Sequence, residues 1–404
     1  MDENNSQSAF RFHGSWPEFI RIVVPNIFLT VVTLGIYRFW ATTRERQYLW
    51  SKTDFIDERL EWTGTGLELF IGFIMAVVLI LVPFFALQFA TQALALQGYG
   101  GWAAVLTFVM FGFIMYMIGI ARFRALRYRL SRTYWHGIRG GSDDQGFGYG
   151  WSYIWKTIVG YMALGLLVPW SMMELWNERW NKMSFGPHRI EASGNYADTF
   201  KRYLLFYLSP FVAFVVLGII GGSVASSGAF DDLRSPDAGA KIGILIFLGV
   251  FVFYGILGAL ALVYYAKFFR VAVEGMSLHK LDFAFPARTM DWVKLFIGDA
   301  GLYLLAALPV AIILGAAGFF GSIEFPEPGE STAVLENSVF FIIVALSVLP
   351  FALIGPFIRY RHWKFFVVHM EAFGEINLDE LTQSQTIVAK HGEGLLDAFD
   401  VGAI

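Results

Sequence analysis

The sequence predicts an all-α polytopic integral membrane protein carrying small cytoplasmic β-hairpins, and three observations lead there. Of 404 residues, 56% are hydrophobic and only 16% charged, with a mean hydropathy of +0.55, more apolar surface than a soluble core of this size hides. Six runs are long enough to cross a bilayer, which takes roughly 20 residues. One short phrase also recurs at the mouths of apolar helices: FHGSWPEF (12–19), EWTGTGLELF (61–70), FGYGWSYIW (147–155), EASGNYADTF (191–200) and FAFPARTMDW (283–292). Repetition on this scale marks duplication of a structural unit.

Taken in order, residues 20–37 form an apolar helix interrupted by Pro25 and Asn26, and residues 154–175 form another, interrupted by Gly160, Gly165 and Pro169. Helices broken in this way lie in the interface or dip into the bilayer and return. The six spans are 67–89, 102–121, 203–224, 242–266, 295–320 and 339–357. Segments 38–66, 122–153 and 267–291 are rich in Lys and Arg. Loop 90–101 has no charge, and 226–239 and 321–337 are acidic. The positive-inside rule therefore puts the basic segments and both termini in the cytoplasm, with the broken helices entering and leaving on that side. Small residues within the spans, Gly218 with Gly222 and Gly255 with Gly258, predict close helix packing.

The linkers RLEWTG, HRIEAS and HKLDFAF alternate apolar and charged residues at period two, as does MEAFGEINLDEL in the tail. That is the pattern of strands. Isolated pairs would be marginal in water, so a shared sheet beneath the membrane is one way to stabilise them. Trp16 and Trp151 stand 135 residues apart, and the same register sets Arg21 against Lys156 and, after one inserted residue, Trp40 against Trp176. Three modules follow: 1–146, 147–282 and a degenerate 283–404.

The run 26–50, NIFLTVVTLGIYRFWATTRERQYLW, preceded by FRFHGSWPEFIRI, resembles the signature of the YjgN-like family of bacterial inner-membrane proteins. The resemblance is specific over the first 60 or so residues and continues in layout beyond them. It implies a bacterial inner-membrane location and carries over no catalytic or binding residues.

The opening MDENNSQSAF shows neither the basic nor the apolar region of a signal peptide. Cysteine is absent, which excludes disulfides and thiolate chemistry. No HExxH, GxSxG or GxxxxGK[ST] motif occurs and the seven histidines are scattered, so neither an enzyme, a cofactor nor a metal is expected. His362 and His369, two helical turns apart, lack a third ligand. The basic clusters are juxtamembrane and mixed with acids, which argues against nucleic acid.

Rings and guanidinium groups at headgroup level make Trp40, Arg44, Arg46 and Trp50 candidate anchors to anionic lipid or to a membrane or cytoplasmic protein partner. Arg122, Arg124 and Arg127 repeat that chemistry, as do Trp176 and the module-equivalent Arg21 and Lys156. Asp299, one to two turns inside a span, is the most suggestive single residue, because an intramembrane acid marks proton or cation paths unless it is paired. Lys294 is a candidate partner for it. Asn26 in a broken helix could help coordinate an ion. Two functions stay open: movement of a small solute or ion past Asp299 and Asn26, or a non-transporting scaffold or lipid-interacting role.

Overall fold

Four tight turns organise the molecule. The pairs Phe55–Glu58, Trp135–Ile138, Phe185–His188 and Leu278–Leu281 each close a hairpin through two residues. The first residue of every loop has positive φ: Ile56 (58°), His136 (51°), Gly186 (55°) and His279 (56°). Turns of this hand match the right-handed twist of the strands they join, which offsets a backbone conformation that Ile and His rarely adopt. The computed structural model describes residues 9–226, 238–316, 338–374 and 382–386.

Strands β1 (Phe10–Phe12), β2 (Thr53–Phe55) and β3 (Glu58–Arg59) pair in that order. Past Leu60 the chain opens an eight-stranded meander: β4 (Glu61–Trp62), β5 (Thr133–Trp135), β6 (Ile138–Gly141), β7 (Ser184–Phe185), β8 (His188–Ala192), β9 (Met276–Leu278), β10 (Leu281–Ala284) and β11 (Glu371–Phe373). Every pairing is antiparallel. Phe55, Trp135 and Leu281 share one buried cluster with Phe10, Phe185 and Ala372. Those residues come from both ends of the strand order, so the sheet curls around them. Trp135 is its centre, 1% exposed, with Nε1 donating to the Phe55 carbonyl at 2.9 Å.

Among the described residues, five helix pairs leave the sheet and return to it. They are α1 (Trp16–Val32) with α2 (Arg38–Ser51), then α3 (Gly66–Ala76) and α4 (Val82–Leu96) with α5 (Gly100–Arg132). Next come α6 (Phe147–Met162) with α7 (Val168–Asn181), α8 (Ala197–Ser226) with α9 (Ala238–Glu274), and α10 (Thr289–Ala316) with α11 (Ser338–His369). A π-helical stretch, Val77–Leu81, joins α3 to α4 just before Pro83, whose ring nitrogen cannot donate to the ladder. All five copies of the recurrent phrase stand at the mouth of the first helix of a pair. Thr65 and Glu68 form a reciprocal capping box there in the second pair.

Neighbouring pairs touch in succession, through α2 and α3, α5 and α6, α7 with α8 and α9, and α9 and α10. The last helix, α11, packs on α1 and α2, which brings the final pair back to the first. Within the described residues, five helices are long and apolar enough to cross a membrane: Gly66–Leu96, Gly100–Arg132, Ala197–Ile219, Phe247–Glu274 and Thr289–Ile312. The chain is thus a mostly helical polytopic membrane protein built on a curled sheet. The expected run 339–357 falls in α11, partly outside the residues whose side chains are described. The acidic loops around 226–239 and 321–337 lie outside them almost entirely.

Several expectations change. The first broken helix does not break at Pro25, which sits inside α1; it turns at Leu34 (φ 52°) and Gly35 (φ 92°). The second turns at Leu164 (φ 53°) and Gly165 (φ 83°), so the two like turns are 130 residues apart. The register of 135 and the match of Trp40 with Trp176 therefore give way: Trp40 lies in the first turn of α2 and corresponds to Trp170, in the first turn of α7. Trp-rich sequence near each turn made several registers look alike, whereas the left-handed Leu-Gly pair admits one. The expected boundary at 282/283 falls inside β10. Gly218, Gly222, Gly255 and Gly258 do not mediate close packing, for a Cβ at any of them would meet nothing within 4 Å.

Trp135→Ala should remove about 3–5 kcal/mol of stability, the usual cost of truncating a large buried aromatic. Thermal unfolding in detergent checks this. The surface change Trp102→Ala, at a position 68% exposed, should leave the midpoint nearly unmoved.

Candidate functional site

Helix α11 ends its apolar run with Arg359-Tyr360-Arg361-His362-Trp363, and at 100° per residue these side chains reach different neighbours. Arg361 Nε donates to Asp299 Oδ1 at 2.9 Å, and His362 Nε2 lies 2.6 Å from Asp299 Oδ2. The Arg361 Nη2 also donates to the Leu295 carbonyl at 2.9 Å. Gly298 makes room for that guanidinium, because a Cβ there would overlap it. Arg359 turns the other way and donates from Nε (3.0 Å) and Nη2 (2.6 Å) to Glu45 Oε2 in α2.

Aromatic contacts complete the seam. The Tyr360 hydroxyl donates to the Gly14 carbonyl at 2.9 Å, and its ring lies 4.4 Å from that of Trp16 and 5.0 Å from Phe19. Trp363 stacks on Trp50 at 3.9 Å and donates Nε1 to Thr53 Oγ1 at 2.9 Å. Charge and ring stacking thus bind the last helix pair to the first.

Asp299 is 6% exposed, inside a helix apolar enough to span. A lone carboxylate there would be costly, and two cationic or proton-donating partners compensate it. Lys294 is not that partner. It points to solvent, with only a 3.9 Å approach to Asp291, because it sits on another face of α10. Asn26 is 1% exposed and faces α2, with Nδ2 3.5 Å from the Ala41 carbonyl and Oδ1 unpartnered; no contact joins it to Asp299. His362 and His369 part company too, His369 Nδ1 lying 2.9 Å from the Phe365 carbonyl. Among the described residues no group of three or more His, Asp or Glu could hold a metal.

The anchor candidates divide by burial. Arg21, Arg44 and Arg122 are exposed, Arg44 over the Tyr37 ring at 5.6 Å and Arg122 over Tyr153 at 5.3 Å. Arg124 is half-buried and donates Nε to the Gln145 carbonyl at 3.1 Å. Trp40 is half-buried against Phe70. Arg46, Trp50 and Arg127 are buried and act inside the fold: Arg46 covers the Trp62 ring at 5.1 Å, and Trp50 Nε1 donates to Thr133 Oγ1 at 2.9 Å. Lys156 is buried as well, 2.9 Å from Glu178 and 3.5 Å from Glu174. Its counterpart at a spacing of 130 is Asn26, so the expected equivalence with exposed Arg21 fails. Trp176 lies half-buried among Trp180, Phe268 and Phe269.

Sequence reasoning passed over Glu45, Arg359 and Arg361, though the cationic run directly after a span was the signal. It also passed over Glu68, whose carboxylate takes Arg132 Nη2 at 2.7 Å and Nε at 2.9 Å and ties the start of α3 to the end of α5. Arg139 is buried and holds the tail: its Nη2 donates to the Ser384 and Thr386 carbonyls, and its backbone N–H donates to Gln383 Oε1 at 3.2 Å.

Asp299→Asn should lower stability by about 2 kcal/mol, since it leaves a partly buried guanidinium facing a neutral amide. Asp299→Asn with Arg361→Gln should lose less than the sum of the single changes. Denaturant titration of the detergent-solubilised protein provides the comparison.

The inner membrane protein YjgN of Escherichia coli O157:H7 is 24% identical over 241 residues, 51% of this chain and 58% of the relative. Its counterpart in Escherichia coli K12 is 23% identical over 242 residues with the same coverage. The Salmonella typhimurium LT2 protein of that name is 24% identical over 139 residues, 34% of this chain and 32% of the relative. The chain thus spans somewhat over half the length of the first two. No solved structure matches. The description of a family of bacterial proteins of unknown function (DUF898) fits residues 7–398, nearly the whole chain, and the chain belongs to that family.

Proposed function

We propose that the protein is a multi-pass inner-membrane protein that binds and organises lipid, with its sheet and both termini on the cytoplasmic side. One observation carries the reading: away from the sheet, the long helix pairs are apolar on every face and barely buried. In α8, Phe211, Val212, Phe214 and Leu217 are 59%, 59%, 80% and 58% exposed, and their angular positions go around the whole helix. Phe247, Leu248, Val250 and Val252 do the same in α9. Since the pairs succeed one another back to the first, acyl chains have to cover inward-turned as well as outward-turned faces. Surface hollows lined by Leu94, Tyr99, Trp102, Val105 and Leu106, and by Leu304, Leu305 and Leu308, have the same apolar character.

The short pairs fit this picture. Helices α1 and α6 have 17 and 16 residues, about 25 Å at 1.5 Å per residue, and their turns present Leu34 and Leu164 at 93% and 81% exposure. Greasy tips on short helices suit re-entrant insertion from one side. Basic residues gather at the sheet end, including Arg59, Arg132, Lys182, Arg189, Arg270 and Lys280, which supports the cytoplasmic assignment. The names of the relatives support the inner membrane. Movement of an ion past Asp299 draws less support, because Arg361 and His362 already occupy its carboxylate.

Nitroxide labels at 212 and 214 lie on opposite sides of α8. In proteoliposomes both should be accessible to oxygen and shielded from a water-soluble nickel chelate. Nickel access at either would reveal an aqueous cavity and defeat the reading. As a second test, Asp299→Asn should leave proton flux in liposomes the same as wild type, and a wild-type flux abolished by that change would favour transport.

A further inference from the structure

Helix α7 carries buried hydrogen-bond donors that meet no acceptor among the described residues. The indole Nε1 atoms of Trp176 and Trp180 and the Nε of Arg179 are buried, and each lacks an acceptor among the described residues. Three such donors within five residues are unusual, since buried polar groups in native proteins almost always find partners. Nearby carboxylates are already engaged. Glu178 takes Lys156 at 2.9 Å and Lys182 at 3.6 Å, and Glu174 takes Lys156 at 3.5 Å. The Tyr149 hydroxyl donates to the Leu175 carbonyl at 3.2 Å.

Tyr153, Trp176 and Trp180 pack against one buried cluster, and a guanidinium lies over two of these rings. The Arg179 guanidinium lies over the Trp176 ring at 5.5 Å, and Arg122, from α5, lies over Tyr153 at 5.3 Å. Among the described residues no carboxylate forms an ion pair with either arginine. Burial pushes the Arg179 guanidinium below its usual range, partly offset by Tyr149, and Arg122 and Arg129 push it the same way as burial does. A guanidinium in an apolar, like-charged setting is stabilised by an anion that accepts several hydrogen bonds at once. Phosphate oxygens have that character, and Arg is the side chain best matched to them.

We infer that Arg122, Arg179 and the indole N–H of Trp176 form a binding site for a phosphate group. The group is either the phosphodiester of an anionic phospholipid or free inorganic phosphate, and the chemistry of the donors is the same for both. The lipid source rests on the lipid-binding reading above, and the site itself does not.

Native mass spectrometry of the intact detergent-solubilised protein tests the site with two probes, phosphatidylglycerol and inorganic phosphate. Arg122→Gln with Arg179→Gln should weaken binding of phosphatidylglycerol at least tenfold. Trp176→Phe keeps the ring and removes only the orphaned donor, so it should weaken binding severalfold while leaving the thermal midpoint equal or higher. Displacement of bound phosphatidylglycerol by millimolar inorganic phosphate would identify free phosphate as a competent ligand. Failure to displace it, with the same loss in the variants, would identify the headgroup. Wild-type binding of both probes by both folded variants would overturn the site. That result would not touch the nitroxide accessibility at 212 and 214, so the two proposals fail separately.

Discussion

Strand pairing, in a three-stranded sheet and an eight-stranded meander that share one buried cluster, is the constraint on which the architecture depends. The strands are two to five residues long, and an isolated hairpin of that size is marginal in water. Each hairpin is therefore held by its neighbours, and each helix pair is positioned by the hairpins before and after it. The cluster around Trp135 joins strands from both ends of the order, so the sheet and the sequence of helix pairs are fixed together. A membrane protein built this way needs little contact between neighbouring long helix pairs in the hydrocarbon. Its spans are placed from their ends, which explains how glycine-containing faces at Gly218 and Gly255 stay open.

The seam at α11 performs the same task by different chemistry. Beside the cluster around Trp135, the last helix pair is held against the first by Arg359 with Glu45 and by the stacked indoles of Trp50 and Trp363, while Arg361 with Asp299 holds the two helices of the last pair together. Ion pairs that lose their water on folding add little net stability, because desolvation offsets their attraction, but removing one partner is costly. Asp299 is best understood as one half of such a lock. The donors on α7 present the opposite case, positive charge and N–H groups that meet no acceptor among the described residues.

Much of this was legible in the sequence. The long spans could be read from hydropathy, and the strands at 58–62, 188–192 and 281–284 from period-two alternation. The recurrent phrase marked all five helix mouths. Other features were not legible, for identifiable reasons. Strands such as Thr133–Trp135 and Ser184–Phe185 are too short to show a period. A left-handed leucine at position 34 or 164 has no signature in composition, and Pro25 offered a more conspicuous but false breakpoint. For the candidate site, the importance of Asp299 was visible, but its partners lie 62 and 63 positions away and adjacent Lys294 obscured them. Interfacial composition could not separate buried Arg46, Trp50, Arg127 and Lys156 from exposed Arg21, Arg44 and Arg122, because both groups share the same mixture of rings and cations.

In the function proposed above, lipid covers both sides of the helix pairs that stand on the curled sheet. A cryo-electron microscopy map of the protein in a phospholipid nanodisc, at a resolution that separates acyl chains, tests it most directly. Rod-shaped lipid density is expected against the inward-turned as well as the outward-turned faces of α8 and α9, with the sheet closed beneath. Helix ends packed directly on one another, or a water-filled channel in their place, would contradict it.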